Sequence, residues 1–217
     1  MNSILVRSAE SAFAVAATLA KVVGAHVSGV PSDVPDEEFV RALDDPEVVM
    51  GVVAHNDGVW KIVRRSAVPI VLVPPTMVAA QYGIERVLVP LDGTEEASYA
   101  VAESVRLFCA AGIEIMVLHV FDSTTVPAHW DQAAHARAAW ETEFLARFCA
   151  PYFPGLCQTL TLRSGAVGDN IVDVAAEQAD LIVLGWSQRL EPGRAQIVRN
   201  AVATATVPVM LVPVTSG

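Results

Sequence analysis

Val87-Leu-Val-Pro-Leu-Asp-Gly-Thr-Glu-Glu-Ala97 begins as an apolar strand, breaks at Pro90 and Gly93, and passes into a helical pattern. Ala97, Ala100, Val101, Ser104, Val105 and Phe108 then recur at the i, i+3, i+4, i+7, i+8, i+11 spacing of one buried helix face. The alternation continues downstream. Residues 113–120 form a second apolar run, about 130–148 a long helix, 158–163 a β-like run and 169–178 another helix. A fourth strand is predicted at 181–184, a last helix at 196–205 and a fifth strand at 209–212. Strands apolar along their whole length, alternating with helices, specify a parallel sheet covered on both faces. The expected fold class is therefore α/β, of Rossmann type.

The same pattern occurs twice. Val68-Pro-Ile-Val-Leu-Val-Pro-Pro75 is matched by Val207-Pro-Val-Met-Leu-Val-Pro-Val214, and Phe13-Ala-Val-Ala-Ala-Thr-Leu19 by Tyr99-Ala-Val-Ala-Glu-Ser-Val105. Each of the latter pair follows an apolar triplet, Ile4-Leu-Val6 or Val87-Leu-Val89. Before the linker the predicted strands are 4–6, 26–30, 48–53 and 70–73, with helices over 9–23, 35–43 and 60–65. The long second helix and the third strand have no counterpart there. The expected organisation is a shortened repeat at 1–75, a linker at 76–83 and a fuller repeat at 84–217. Because Ala12 to Ala20 recurs in mid-chain, it reads as the first helix of a repeat and not as a secretory leader, and a cytoplasmic location is expected.

The chain has 217 residues, 53% of them hydrophobic, yet no uninterrupted apolar run reaches the ~18 residues that span a bilayer. Its net charge is -10, with 9 acids against 6 bases before Gly83 and 15 against 8 after it. Arg64-Arg65 is the one tight basic group, so neither nucleic acid nor an anionic membrane surface is an expected partner. Cys109, Cys149 and Cys157 are odd in number and lack metal-ligand spacing, as small reduced core residues would.

Four phrases carry a resemblance: Val87-Leu-Val-Pro-Leu-Asp-Gly-Thr-Glu-Glu-Ala97, Val117-Leu-His-Val120, Ala179-Asp-Leu-Ile-Val-Leu-Gly185 and Val207-Pro-Val-Met-Leu-Val-Pro213. In this order and at this spacing they resemble the universal stress protein family over residues 84–214, with residues 3–75 similar to a shortened relative. The resemblance implies two tandem units of the adenine nucleotide alpha hydrolase-like fold. The sheet of the fuller unit would run in the order 3-2-1-4-5, with a nucleotide crevice between the ends of strands 1 and 4, the first unit being trimmed to four strands. It also implies pairing of the two units through their last strands, 70–73 with 209–212, a pseudo-dimer within one chain that would remove two open edges. ATP or another adenine nucleotide would be the ligand of the second unit. The residues so implied are Pro90, Leu91 and Asp92 ending strand 1, Val120 ending strand 2, Leu184 and Gly185 ending strand 4, and Gln188 and Gln196 in the loop and helix that follow. Asp92 would accept a hydrogen bond from a ribose hydroxyl or the adenine amine, Val120 would offer its backbone to the base, and the last helix would aim its amino end at phosphate.

The chain departs from the glycine pattern of ATP-binding members. Gly185 fits the first glycine, Gln188 stands at the second, and Ala195-Gln196 stands at the closing pair after a loop about three residues shorter. Arg189, Gly193 and Arg194 offer a different anion site in the same loop. The first repeat has Arg7-Ser8-Ala9 where the second has Pro90-Leu91-Asp92, and Ala54-His-Asn-Asp-Gly58 leads almost directly into its last helix, so no nucleotide is expected there.

Other chemistry lacks its parts. Asp92-Gly93-Thr94 is the tail of a phosphatase-like signature, but its nucleophile position is Pro90. No P-loop lysine and no G-x-G-x-x-G is present. His129 and His135 fall on different helix faces and with Asp131 make no metal site, so no metal is expected. His119 reads as a packed strand residue, and Trp130, Trp140, Phe144 and Phe148 as a packing stripe. Two functions remain in view. One is a non-catalytic, stress-associated module binding an adenine nucleotide; the other is a protein-interaction or regulatory scaffold, self-association included, that has lost the nucleotide. Slow ATP hydrolysis is a third class for which no nucleophile, base or metal set can be named.

Overall fold

The computed structural model describes residues 1–7, 9–56, 58–78, 82–121, 134–153, 159–187 and 194–214. The first half contains β1 (Ser3–Arg7), α1 (Glu10–Val23), β2 (His26–Val30), α2 (Asp36–Leu43), β3 (Val48–Ala54), α3 (Trp60–Val63) and β4 (Ile70–Val73). The second contains β5 (Arg86–Pro90), α4 (Glu95–Ala110), β6 (Glu114–Phe121), α5 (Ala134–Phe144), β7 (Thr159–Ser164), α6 (Val167–Gln178), β8 (Leu181–Trp186), α7 (Arg194–Thr204) and β9 (Val209–Pro213). Beyond α5 the chain winds through one looser turn, Leu145–Cys149, a π-type widening of the helix. Residues 130–133 of the predicted long helix, and Cys157, lie outside the described residues.

Among the described residues the strands form one nine-stranded sheet, ordered β2-β1-β3-β4-β9-β8-β5-β6-β7. Within the second half this is the 3-2-1-4-5 order. All neighbours run parallel except β4 and β9, which pair antiparallel through Ile70↔Leu211, Val71↔Met210 and Leu72↔Val209. The seam between the halves is therefore buried sheet, not a surface contact. Val71, Val73 and Met210 are fully buried on one face of the sheet, Leu72 and Leu211 on the other. Each such side chain contributes about 1.5–3 kcal/mol by leaving water. This is why apolar runs without alternation were readable as central strands.

One face of the sheet is covered by α1, α4 and α5, the other by α2, α3, α6 and α7. The halves differ at their outer edges. β6 is followed laterally by β7, whereas β2 is the end of the sheet. Register places Ser28 and Gly29 of β2 where β6 has the buried Met116 and Val117. The edge has thus exchanged core residues for small ones.

Before β5 the chain is clamped. The Thr18 hydroxyl on α1 donates to Tyr82 O at 2.8 Å, and the Tyr82 hydroxyl donates to Asp180 O at 2.7 Å. The Asp180 carboxylate accepts from the backbone N–H groups of Glu85 and Arg86, both at 2.9 Å. Burial, reinforced by the Asp180 charge, pushes the Tyr82 phenol well above its ordinary value, so it stays a donor.

Candidate functional site

Strand order reverses between β5 and β8, because β5 leads through α4 to β6 on one side and is flanked by β8 on the other. The loops leaving these strands diverge, and a cleft opens beyond their carboxyl ends. The enclosed space is about 200 Å³. Six of the residues singled out from sequence line it: Pro90, Leu91, Asp92, Val120, Leu184 and Gly185. The opposite wall comes from α6 and α7, through Val167 and Ile171 and through Ile197 and Val198. Gln196 stands on the first turn of α7 but is exposed and outside this wall; the helix period turns its two successors inward instead. Gln188, Arg189 and Gly193 lie outside the described residues.

The loop at the end of β5 is fixed by its own side chains. Asp92 Oδ1 accepts from Thr94 N at 3.1 Å and from the Thr94 hydroxyl at 2.7 Å. Thr94 Oγ1 in turn accepts from Ala97 N at 3.2 Å, capping α4. Between them Gly93 takes φ +81, where a side chain would be strained. Asp92 remains exposed at the cleft mouth. At the end of β8, a side-chain carbon on Gly185 would sit 3.4 Å from Ala100 Cβ and 3.8 Å from Ala97 O. Both are ordinary contact distances, so packing against α4 does not by itself require glycine here.

His119 is buried in the cleft floor, with Nδ1 at 2.8 Å from Leu91 O. A carbonyl can only accept, so Nδ1 carries the proton and ties the end of β6 to the end of β5. Phe121, Trp140 and Phe144 surround the imidazole with ring centroids at 4.7, 4.9 and 4.8 Å. Burial lowers its pKa from 6.5, opposed by the Leu91 carbonyl and the Asp92 charge. Packing in the strand is what the Val117-Leu-His-Val120 phrase suggested; the inter-strand hydrogen bond was not foreseen. His129, Trp130 and Asp131 lie outside the described residues, as does the side chain of His135. Burial pushes the Cys149 thiol up to about 12, which keeps it a neutral core group.

The corresponding strand end of the first half carries an ion pair. Arg7, which stands where the second half has Pro90, turns inward beneath α2. Its Nη1 donates to Asp36 Oδ1 at 2.6 Å, its Nη2 to Val34 O at 3.1 Å, and the guanidinium lies 4.8 Å from the Phe39 ring centroid. Arg7 is the expected counterpart of Pro90 at this strand end, but its ion pair with Asp36 was not expected. The signal was there: period-two alternation puts Arg7 on the same face as the buried Leu5, and Asp36 opens the helix above it.

The model of the universal stress protein family matches residues 83–213. No curated protein matches the chain. Among solved structures, a universal stress protein from Archaeoglobus fulgidus DSM 4304 is similar over 99% of this chain and 97% of its own, at 15% identity and TM-score 0.62. A functionally unknown protein, PA1789 from Pseudomonas aeruginosa PAO1, is similar over 97% of this chain and 81% of its own, again at 15% identity and TM-score 0.62. At such identity the likeness is one of fold.

Proposed function

The chain belongs to the universal stress protein family, and from that premise we propose that its second half is a non-catalytic module holding an adenine nucleotide in the cleft between β5 and β8. The observation that carries this reading is the convergence of Pro90, Leu91, Asp92, Val120, Leu184 and Gly185 on one cavity at the topological switch point. Its walls offer apolar surface to the faces of a purine, strand-end backbone to the base edge, and the Asp92 carboxylate to a ribose hydroxyl. At about 200 Å³ the cavity is smaller than the ~300–1,000 Å³ usual for ligand sites, so it suits a nucleoside with its phosphates at the mouth. A cytoplasmic location belongs to the same reading; no helix among the described residues is long and apolar enough to cross a membrane.

The small cavity favours a second reading, a regulatory scaffold whose cleft is empty. Isothermal titration with ATP, AMP and cyclic AMP separates the two. The nucleotide reading expects saturable heat, weakened about tenfold to a hundredfold by Asp92→Ala, the scale of one hydrogen bond to a charged group. Asp92→Asn keeps the oxygen that orders the Thr94 turn, so comparing the two variants isolates the charge from the loop. Absence of heat with all three nucleotides leaves the scaffold.

A further inference from the structure

The first half has an open place that the second half fills. β7 pairs with β6 over Met116↔Thr159 to Phe121↔Ser164, while β2 ends the sheet. His26 N donates to Asn2 O at 3.0 Å, which turns residues 26, 28 and 30 towards β1. In a parallel ladder the alternate residues face the other way, so Val27 and Gly29 present two N–H and two C=O groups outward. Such a row is a template for one more strand.

The surroundings choose the partner. A recess beside β2, beneath α2, is lined by His26, Glu38, Arg41, Asp44, Asp45 and Glu47 among others, four carboxylates against one guanidinium and the Met1 ammonium that pairs with Glu47. Glu38 and Asp44 are exposed. A second copy of this chain would bring the same acidic recess and a net charge of -10 against it. Ser28 and Gly29 offer little apolar surface, so backbone pairing and charge must supply the affinity. We infer that β2 is a docking edge for an extended, lysine- or arginine-rich segment of another protein, which adds as a strand in the place that β7 occupies beside β6. This site is remote from the cleft and does not depend on whether nucleotide binds.

The test uses the whole chain and a fluorescein-labelled peptide of alternating lysine and valine, followed by anisotropy. Saturable binding is expected, absent for the same peptide with glutamate in place of lysine. Val27→Pro removes an outward N–H and obstructs the edge, and should weaken binding by about tenfold or more. Glu38→Lys with Asp44→Lys, two exposed changes that leave the backbone alone, should do the same, while Glu177→Lys on α6 should not. If Val27→Pro fails to fold, the charge reversals decide. No binding overturns the inference, as does binding insensitive to both changes, which would be diffuse attraction to an acidic protein. Sedimentation showing a dimer that Val27→Pro dissolves would also overturn it, because the edge would then belong to a second copy.

Discussion

Arg7 and Pro90 occupy the same strand position and make different surroundings there. Pro90 lines the cleft of the second half, whereas the Arg7 guanidinium is paired to Asp36 at 2.6 Å, its side chain 15% exposed. Arg7→Ala is expected to destabilise the protein by about 1–3 kcal/mol, since Asp36 and Val34 O lose their donor. The shift of the urea midpoint measures it, and an unchanged midpoint would mean that the pair is idle. His119 makes a second residue-level expectation. Its folded pKa lies below 6.5, so the unfolded chain binds the proton more tightly and acid favours unfolding. Stability from this group is whole above the unfolded value and is lost as pH falls through 6.5 towards the folded value. Between about pH 7.5 and about pH 5 the melting temperature should therefore drop further for the parent than for His119→Asn, whose amide can still donate to Leu91 O. Equal drops in the two proteins would remove His119 from the acid response.

At the scale of elements, strands and helices were legible because burial leaves its period in the sequence. β3, β4, β8 and β9 are apolar without alternation, as central strands must be. Ends were less legible. α3 stops at Val63 although a helix to Arg65 was expected, because the chain must turn at Ser66, whose hydroxyl donates to Val68 O at 2.7 Å before Pro69. In the candidate site, the strand-end residues were readable from short phrases. The far wall, Val167, Ile171, Ile197 and Val198, was not, because ordinary helix-face residues carry no mark of what they face. Nor did anything mark Tyr82 as a clamp: its partners Thr18 and Asp180 are 64 and 98 residues away. Tyr82→Phe deletes one hydroxyl bond across that clamp and should cost about 1 kcal/mol, readable in the denaturation midpoint, with the cleft untouched. A nucleotide titration altered by this variant would show that the clamp reaches the site.

Across the whole molecule, the two halves share one sheet and two continuous cores. On one face Trp60 of α3 and Trp186 of β8 meet across the seam at 5.6 Å between ring centroids, and Arg199 of α7 lies 5.7 Å from the Trp60 ring centroid. At the seam itself, Val71→Glu would place an unpaired charge between β3 and β9, at a cost of several kcal/mol. Both halves should then unfold earlier, by far-UV circular dichroism and tryptophan fluorescence alike; a midpoint equal to the parent's would contradict the shared core. The proposed confinement of nucleotide to the second half rests on an asymmetry: a cleft lined by strand-end residues there, and the Arg7–Asp36 pair at the matching strand end of the first half. The most direct measurement is an amide ¹H–¹⁵N spectrum of the labelled chain titrated with ATP. Shifts at Leu91, Asp92, Val120 and Gly185, with Val6, Arg7 and Val53 unmoved, are the expected result; shifts in the first set absent, or matched around Arg7, would contradict it.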